Sequence, residues 1–256
     1  MKLSLDIGNS QIYGGVFDDN GLQSRFRKIT QRGASSDELG LFFRQVVREN
    51  GHDPATVSAV GFCSVVPDLN HSLVNACRRY FDLEPFILRA GLKTGLKIRY
   101  KNPAEVGADR IACAVGAVDR YPGEDLVIID FGTATTIEGV NAEREYLGGV
   151  IVPGLSISMR ALEQNTARLP KVEIIRPDRI CGRSTVESIQ AGLYWSHLGA
   201  IREIRDQLVR ECFKATTPVV VGTGGFAGLF AEAGIFSAVH PDLVLEGVRI
   251  AQDLNR

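Results

Sequence analysis

Two short segments set an aspartate beside a glycine turn: Leu5-Asp6-Ile7-Gly8-Asn9-Ser10 and Ile129-Asp130-Phe131-Gly132-Thr133-Ala134. A glycine-rich turn presents backbone N–H groups that can cradle phosphate oxygens. The hydroxyls of Ser10, Thr133 and Thr135 add donors. An aspartate next to such a cradle repels phosphate unless a cation stands between them, so the two turns together point to a metal-bound nucleotide. A lone Asp-x-Gly is common in ordinary β-turns; a second copy at a matching place favours the chemical reading. A third turn, Gly222-Thr223-Gly224-Gly225, follows an apolar run, and such a turn lets backbone approach a flat ligand such as a purine. In Pro103-Ala104-Glu105-Val106-Gly107-Ala108-Asp109-Arg110, Asp109 can serve as a base or an acceptor, and Arg110 is a forked donor for carboxylate or phosphate. The same two residues also suit a helix start with a solvated arginine, so chemistry alone leaves both readings open. The chain has no GxxxxGK[ST], and no GxGxxG with a correctly placed acid, which disfavours a P-loop enzyme or a dinucleotide dehydrogenase.

The elements that must hold these residues repeat. Leu3–Ile7, Ile12–Phe17 and Leu22–Ile29 read as strands, with Asp18-Asp19-Asn20-Gly21 a hairpin turn. A helix is predicted from Ser35 to Asn50-Gly51, then a strand over Val57–Val66, a helix over Leu69–Phe81 and a strand over Pro85–Leu88. Ile111–Val118 reads as a helix. The second half repeats the order, with strands at Leu126–Ile129, Thr135–Val140 and Tyr146–Val152. Helical patterns follow over Ile157–Leu169 and Thr185–Phe213, then a strand over Pro218–Val221 and short helices beyond. Three strands followed by helix, strand and helix, done twice, imply a duplicated α/β fold with mixed sheets: one domain over 1–118, a second over 119–256, and a nucleotide cleft between them.

At this point a resemblance becomes specific. Asp6-Ile7-Gly8-Asn9-Ser10, Gly107-Ala108-Asp109-Arg110 and Asp130-Phe131-Gly132-Thr133-Ala134-Thr135-Thr136 stand in the order and spacing of the type III pantothenate kinases. Gly148-Gly149, Pro153-Gly154, Ala167-Arg168-Leu169-Pro170 and the Gly222–Gly225 turn fit as well, so the resemblance spans essentially the whole chain. The wider superfamily holds actin, hexokinase and acetate kinase, which implies two ribonuclease-H-like domains about a nucleotide cleft. The resemblance implies ATP-dependent phosphorylation of the primary hydroxyl of pantothenate, the first step towards coenzyme A. It implies that Asp6, Ile7, Gly8, Asn9, Ser10, Gln11, Ile12 and Tyr13 form the first ATP-binding turn, with Asp6 helping to hold Mg-ATP and Thr133 meeting the phosphates. Asp109 would be the base. Tyr100, Gly107, Ala108 and Arg110 would shape the pantothenate site, with Arg110 towards the substrate carboxylate. Asp130 would bind the monovalent cation, K⁺ or NH₄⁺. Thr185 would reach pantothenate from a partner subunit, which implies a homodimer. Ser10 stands where many members carry Thr; both present a hydroxyl.

Composition bounds the alternatives. The 256 residues are 45% hydrophobic and 23% charged, which is ordinary globular composition, and Lys+Arg at 29 against Asp+Glu at 30 leaves a net charge of -1. No basic field exists to hold nucleic acid or an anionic membrane. Arg202, Arg205 and Arg210 alternate with Glu203, Asp206 and Glu211, the pattern of a solvated helix face. No basic stretch and apolar run form a signal peptide, and no run approaches the about 18 apolar residues of a spanning helix, so the expected location is the cytoplasm. Cys63, Cys77, Cys113, Cys181 and Cys212 are scattered without a CxxC and read as reduced, small core hydrophobes. His52, His71, His197 and His240 lack ligand spacing, so no zinc site is expected. Trp195 reads as packing or dimer interface. A sugar- or acetate-type kinase would need sugar-hydroxyl ligands that are not found. A nucleotide-binding accessory protein would have lost an acid, yet Asp6, Asp109 and Asp130 are all present.

Overall fold

Strand β1 (Lys2–Ile7) alternates, sending Leu3, Leu5 and Ile7 to one face of the sheet and Lys2, Ser4 and Asp6 to the other, and is bonded on both edges. It runs antiparallel to β2 (Gln11–Asp18), which runs antiparallel to β3 (Gly21–Ile29). The chain then forms helix α1 (Ser36–Glu49), whose N-cap Ser35 and Glu38 make a capping box. Strand β4 (Ala59–Ser64) follows, then helix α2 (Pro67–Phe81), strand β5 (Phe86–Leu88), the two-residue strand β6 (Lys97–Ile98) and helix α3 (Ala108–Arg120). The second half supplies β7 (Leu126–Phe131), β8 (Ala134–Val140), β9 (Glu145–Pro153), α4 (Leu155–Gln164), the 28-residue α5 (Thr185–Cys212), β10 (Val219–Thr223), β11 (Ala238–Val239) and α6 (Leu243–Leu254). These elements come from a computed structural model that describes residues 1–213 and 216–256.

The strand orders show the duplication. One sheet runs β3-β2-β1-β4-β5 and the other β11-β10-β7-β8-β9-β6. Read from the far edge, the second sheet repeats the first, with β7 in the place of β1 and β6 added outside. β1 and β7 each pair antiparallel with the strand that follows and parallel with the one after the crossover helices. The fold class is thus α/β with a duplicated mixed sheet, as expected.

Two compact units result. The first holds Met1–Leu96, Lys101–Asp119 and Leu243–Arg256; the second holds Lys97–Tyr100 and Arg120–Asp242. The chain passes from one to the other near the expected boundary at 118/119, but α6 departs from the expected 119–256 segment and joins the first unit. Its physical reason is packing. Gly15 lies against Leu245, and Gly61 lies against Val248 and Gln252, so α6 covers the sheet face that α1 and α2 leave open. The opposite face carries Leu3, Leu5, Ile7, Val60 and Phe62 into a core with Leu39, Phe43, Leu69 and Leu73. The second unit builds its own core from Val127, Ile129, Phe131, Leu193, Tyr194, Leu198, Ile201 and Phe230.

Smaller departures also have local causes. Residues Pro54–Thr56 form a short 3-10 turn capped by Asp53, so the strand expected from Val57 begins at Ala59. α4 stops at Gln164, because the Asn165 side chain bonds the Ala161 carbonyl, rather than running to Leu169. Of the cysteines, Cys63, Cys77 and Cys113 are buried as expected, whereas Cys181 and Cys212 are exposed and correct that expectation. Among the described residues no helix is long and apolar enough to cross a membrane.

The α3–α6 crossing is close enough to test. A Cβ on Gly247 would stand 1.8 Å from the Ala112 carbonyl oxygen, which is backbone and cannot swing away. Gly247→Ala is expected to lower stability by about 3 kcal/mol in thermal unfolding. Gly199→Ala, at a helical position with open space around it, should be neutral or raise stability by up to about 1 kcal/mol.

Candidate functional site

In the first unit, the β1–β2 connection is a tight turn. The Gly8 N–H donates to the Gln11 carbonyl at 3.0 Å, and the Thr30 hydroxyl donates to the Gly8 carbonyl at 2.6 Å. A Cβ on Gly8 would sit 3.0 Å from the Gln11 oxygen, so the turn favours glycine. Asn9, Ser10 and Gln11 are exposed at its tip. Ile7 and Ile12 are fully buried in the core, so of the eight residues Asp6–Tyr13 these two can offer a ligand only backbone. Tyr13 is buried, with the Arg27 guanidinium 4.0 Å above its ring. Arg27 is a neighbour that sequence reasoning missed; it lies across the β2–β3 register from Tyr13.

Asp6 closes β1. Its Cα partners are Tyr13 on one side and Cys63 on the other. The Cys63 thiol donates to Asp6 Oδ1 at 3.4 Å. Burial first, and then the charges of Asp6 and Asp109, push the Cys63 thiol well up, so it stays protonated. Asp109 is thereby tied to the same cluster. It occupies the first turn of α3, and its Oδ1 accepts the Arg110 backbone N–H at 2.8 Å. Burial raises the Asp109 carboxyl above the ordinary carboxylate value, partly opposed by that N–H and by the Arg110 charge. Gly107 precedes it, and a Cβ there would lie 2.4 Å from Asp109 Oδ1, so glycine keeps that oxygen's surroundings open. Arg110 is buried, with 8% of its surface exposed. The structure thus gathers Asp6, Gly107, Ala108, Asp109 and Arg110 in one unit.

Tyr100, Asp130, Thr133 and Thr185 belong to the second unit. The Asp130 carboxylate lies beside two glycines. A Cβ on Gly224, at φ +87°, would stand 2.2 Å from Asp130 Oδ1, and one on Gly132 would stand 3.7 Å away. That glycine-lined oxygen donor suits a hard cation. The Gly132 N–H donates to the Ala134 carbonyl at 3.1 Å, closing a turn one residue shorter than the one at Gly8. Behind it, the Thr135 hydroxyl and His197 Nε2 lie 2.9 Å apart, and His197 stands over Phe131 and Phe230. Tyr100 packs on Tyr146 with ring centroids 6.2 Å apart, and Gly148 leaves room beside it. The Tyr146 hydroxyl donates to the buried Glu138 carboxylate, a pair that sequence reasoning missed. Thr185 opens α5, exposed, next to N-cap Ser184. It lines an open groove of about 1000 Å³ with Ser158, Leu162, Leu169, Ser188 and Leu193. Trp195 on the same helix is partly exposed, edge-on to Tyr194.

Comparison with known proteins agrees over the full length. A family model described as type III pantothenate kinase matches residues 2–207. A protein of Legionella pneumophila (strain Corby) named type III pantothenate kinase is 49% identical over 255 residues, covering 100% of this chain and 99% of that one. One of Elusimicrobium minutum with the same name is 48% identical over 256 residues, again covering 100% and 99%. Among solved structures, the activator of the 2-hydroxyisocaproyl-CoA dehydratase from Clostridium difficile with bound ADPNP has the same fold. It shows a TM-score of 0.54 and 12% identity, covering 99% of this chain and 95% of that one.

His197 makes the second turn's support pH-sensitive. Burial lowers its folded-state pKa below the ordinary 6.5. Between those two values the unfolded chain binds the extra proton and the folded chain does not. Stability is therefore fully present above about pH 6.5 and falls as the pH drops towards the depressed value. Melting temperatures from pH 8 to 5 should show that loss, and His197→Gln should lessen the slope.

Proposed function

The chain belongs to the type III pantothenate kinase family, an ATP-dependent phosphotransferase that makes 4'-phosphopantothenate at the first step of coenzyme A biosynthesis, and on that premise we propose a role for each site residue. ATP and a divalent metal serve the reaction with pantothenate as acceptor. The observation that carries the assignment of roles is the desolvated Asp109 carboxylate, whose charge acts on the same buried thiol that Asp6 holds.

Asp109 is the base. The pantothenate hydroxyl oxygen attacks the γ-phosphorus of ATP, the bond from that phosphorus to the β,γ-bridging oxygen breaks, ADP leaves, and the hydroxyl proton passes to Asp109. Phosphoryl transfer needs its base late, so a carboxylate suffices, and burial that raises its proton affinity suits it further. The Asp6–Tyr13 turn holds ATP, through the backbone of Ile7, Gly8 and Ile12 and the exposed Asn9, Ser10 and Gln11. Asp6 orients Mg-ATP, and Thr133 offers its hydroxyl to the phosphates. The divalent ion offsets triphosphate charge when bound. Asp130, an oxygen donor with glycine on two sides, is the ligand for K⁺ or NH₄⁺. Arg110 supplies a forked donor to the pantothenate carboxylate, and Gly107, Ala108 and Tyr100 shape the remainder. Thr185 contributes to the substrate site of a second copy. Supporting a homodimer are its exposure, the groove beside it, and Trp195 and Val186 exposed on the same helix.

ADP release with ATP, Mg²⁺ and pantothenate, measured in K⁺ and then Na⁺ buffer, tests these roles. Turnover should require pantothenate and prefer K⁺, and Asp109→Asn should lower kcat about a thousandfold. The acid limb of kcat/KM should lie above the ordinary aspartate value of 3.8, because the proton must leave a buried carboxyl before catalysis. Undiminished turnover in Asp109→Asn would remove it as the base, and equal rates in Na⁺ and K⁺ would remove Asp130's cation.

A further inference from the structure

Cys63 stands across from Asp6 in the parallel β1–β4 register. Partners in a parallel pair project to the same face of the sheet. That face is the one α6 covers, since Gly61, two residues earlier on β4, lies against Val248 and Gln252. The alternate residues Val60 and Phe62 enter the core on the other side. Cys63 is therefore not one more apolar residue of that core. It is fully buried beneath a functional carboxylate, with its Sγ 3.4 Å from Asp6 Oδ1. In such a contact the carboxylate can only accept, so the thiol donates.

We propose that Cys63 is a positioning residue for Asp6: its thiol donates a hydrogen bond to Oδ1 and fixes the rotation of that carboxylate at the end of β1. The inference rests on Asp6 serving Mg-ATP. Backbone register places the donor, and enclosure by the neighbouring strand and helix holds its rotamer. The orientation of Asp6 is thus set before ATP arrives. A residue that merely filled space at position 63 would need volume and no proton.

That difference defines the test. In steady-state kinetics on the purified full chain with pantothenate and K⁺, Cys63→Ala should raise the KM for Mg-ATP about tenfold, while leaving the KM for pantothenate within about twofold. Cys63→Ser keeps a donor and should return the KM for Mg-ATP to within about threefold of wild type, even though its hydroxyl fits an apolar enclosure poorly and lowers the melting temperature. In an Asp6→Ala background, where no oxygen is left to accept the thiol, Cys63→Ala should add nothing further. If Cys63→Ala does not fold, Cys63→Val, which fills the volume without a donor, replaces it. Wild-type kinetics in Cys63→Ala or Cys63→Val with a weaker Cys63→Ser would overturn the proposal, as would full additivity with Asp6→Ala. An impaired Asp6→Asn beside an unimpaired Cys63→Ala removes only Cys63's role. An Asp6→Asn variant with wild-type kinetics removes the role of Asp6, and this inference with it.

Discussion

A strand bonded on both edges and covered on both faces can keep a charge only at its end. β1 meets that condition: β2 and β4 take its edges, the α1–α2 core takes Leu3, Leu5 and Ile7, and α6 lies over the other side. Asp6 sits where the covering stops, one residue before the chain leaves the sheet. The placement follows from burial, since an ionised carboxylate inside the strand would require a partner at every oxygen. The same holds for β7, where Val127, Ile128 and Ile129 are fully buried and Asp130 is the first charged position. The duplicated sheet thus generates two aspartates at two strand ends, each followed by a turn that glycine makes tight.

Asp109 obeys a different constraint. It lies in the first turn of a helix, where backbone N–H groups lack intrahelical partners and one of them, on Arg110, reaches its carboxylate. That contact draws the proton affinity of the group back towards its ordinary value. Burial and the N–H oppose each other, and burial prevails. Proton affinity is therefore set by the balance between helix geometry and desolvation.

Much of this was legible in the amino-acid order. Apolar runs ending in aspartate, followed by glycine, mark strand ends whatever surrounds them, and the capping and turn residues around α1 and the β2–β3 hairpin are local signals. What was illegible is non-local. Cys63 and Asp6 are 57 residues apart and meet only through strand register, so the thiol read as filler. Tyr100 lies seven positions from Gly107, yet the two belong to different units because β6 pairs with β9. β6 and β11 are two residues long and carry no periodicity to find. α6 has the pattern of any amphipathic helix, and only the close approach of Gly15 on β2 and Gly61 on β4 explains which sheet it covers.

The assignment of α6 to the first unit bears on how the chain is made. A ribosome delivers β1 to β5 first, yet one face of that sheet stays wet until residues 243–254 have emerged. The second unit draws nearly all its chain from Arg120–Asp242, so it can close before then. Vectorial synthesis thus leaves the earliest-made sheet waiting longest for its cover, and the late pairing of Lys2 with Asp253 and of Lys93 with Asn255 fastens it.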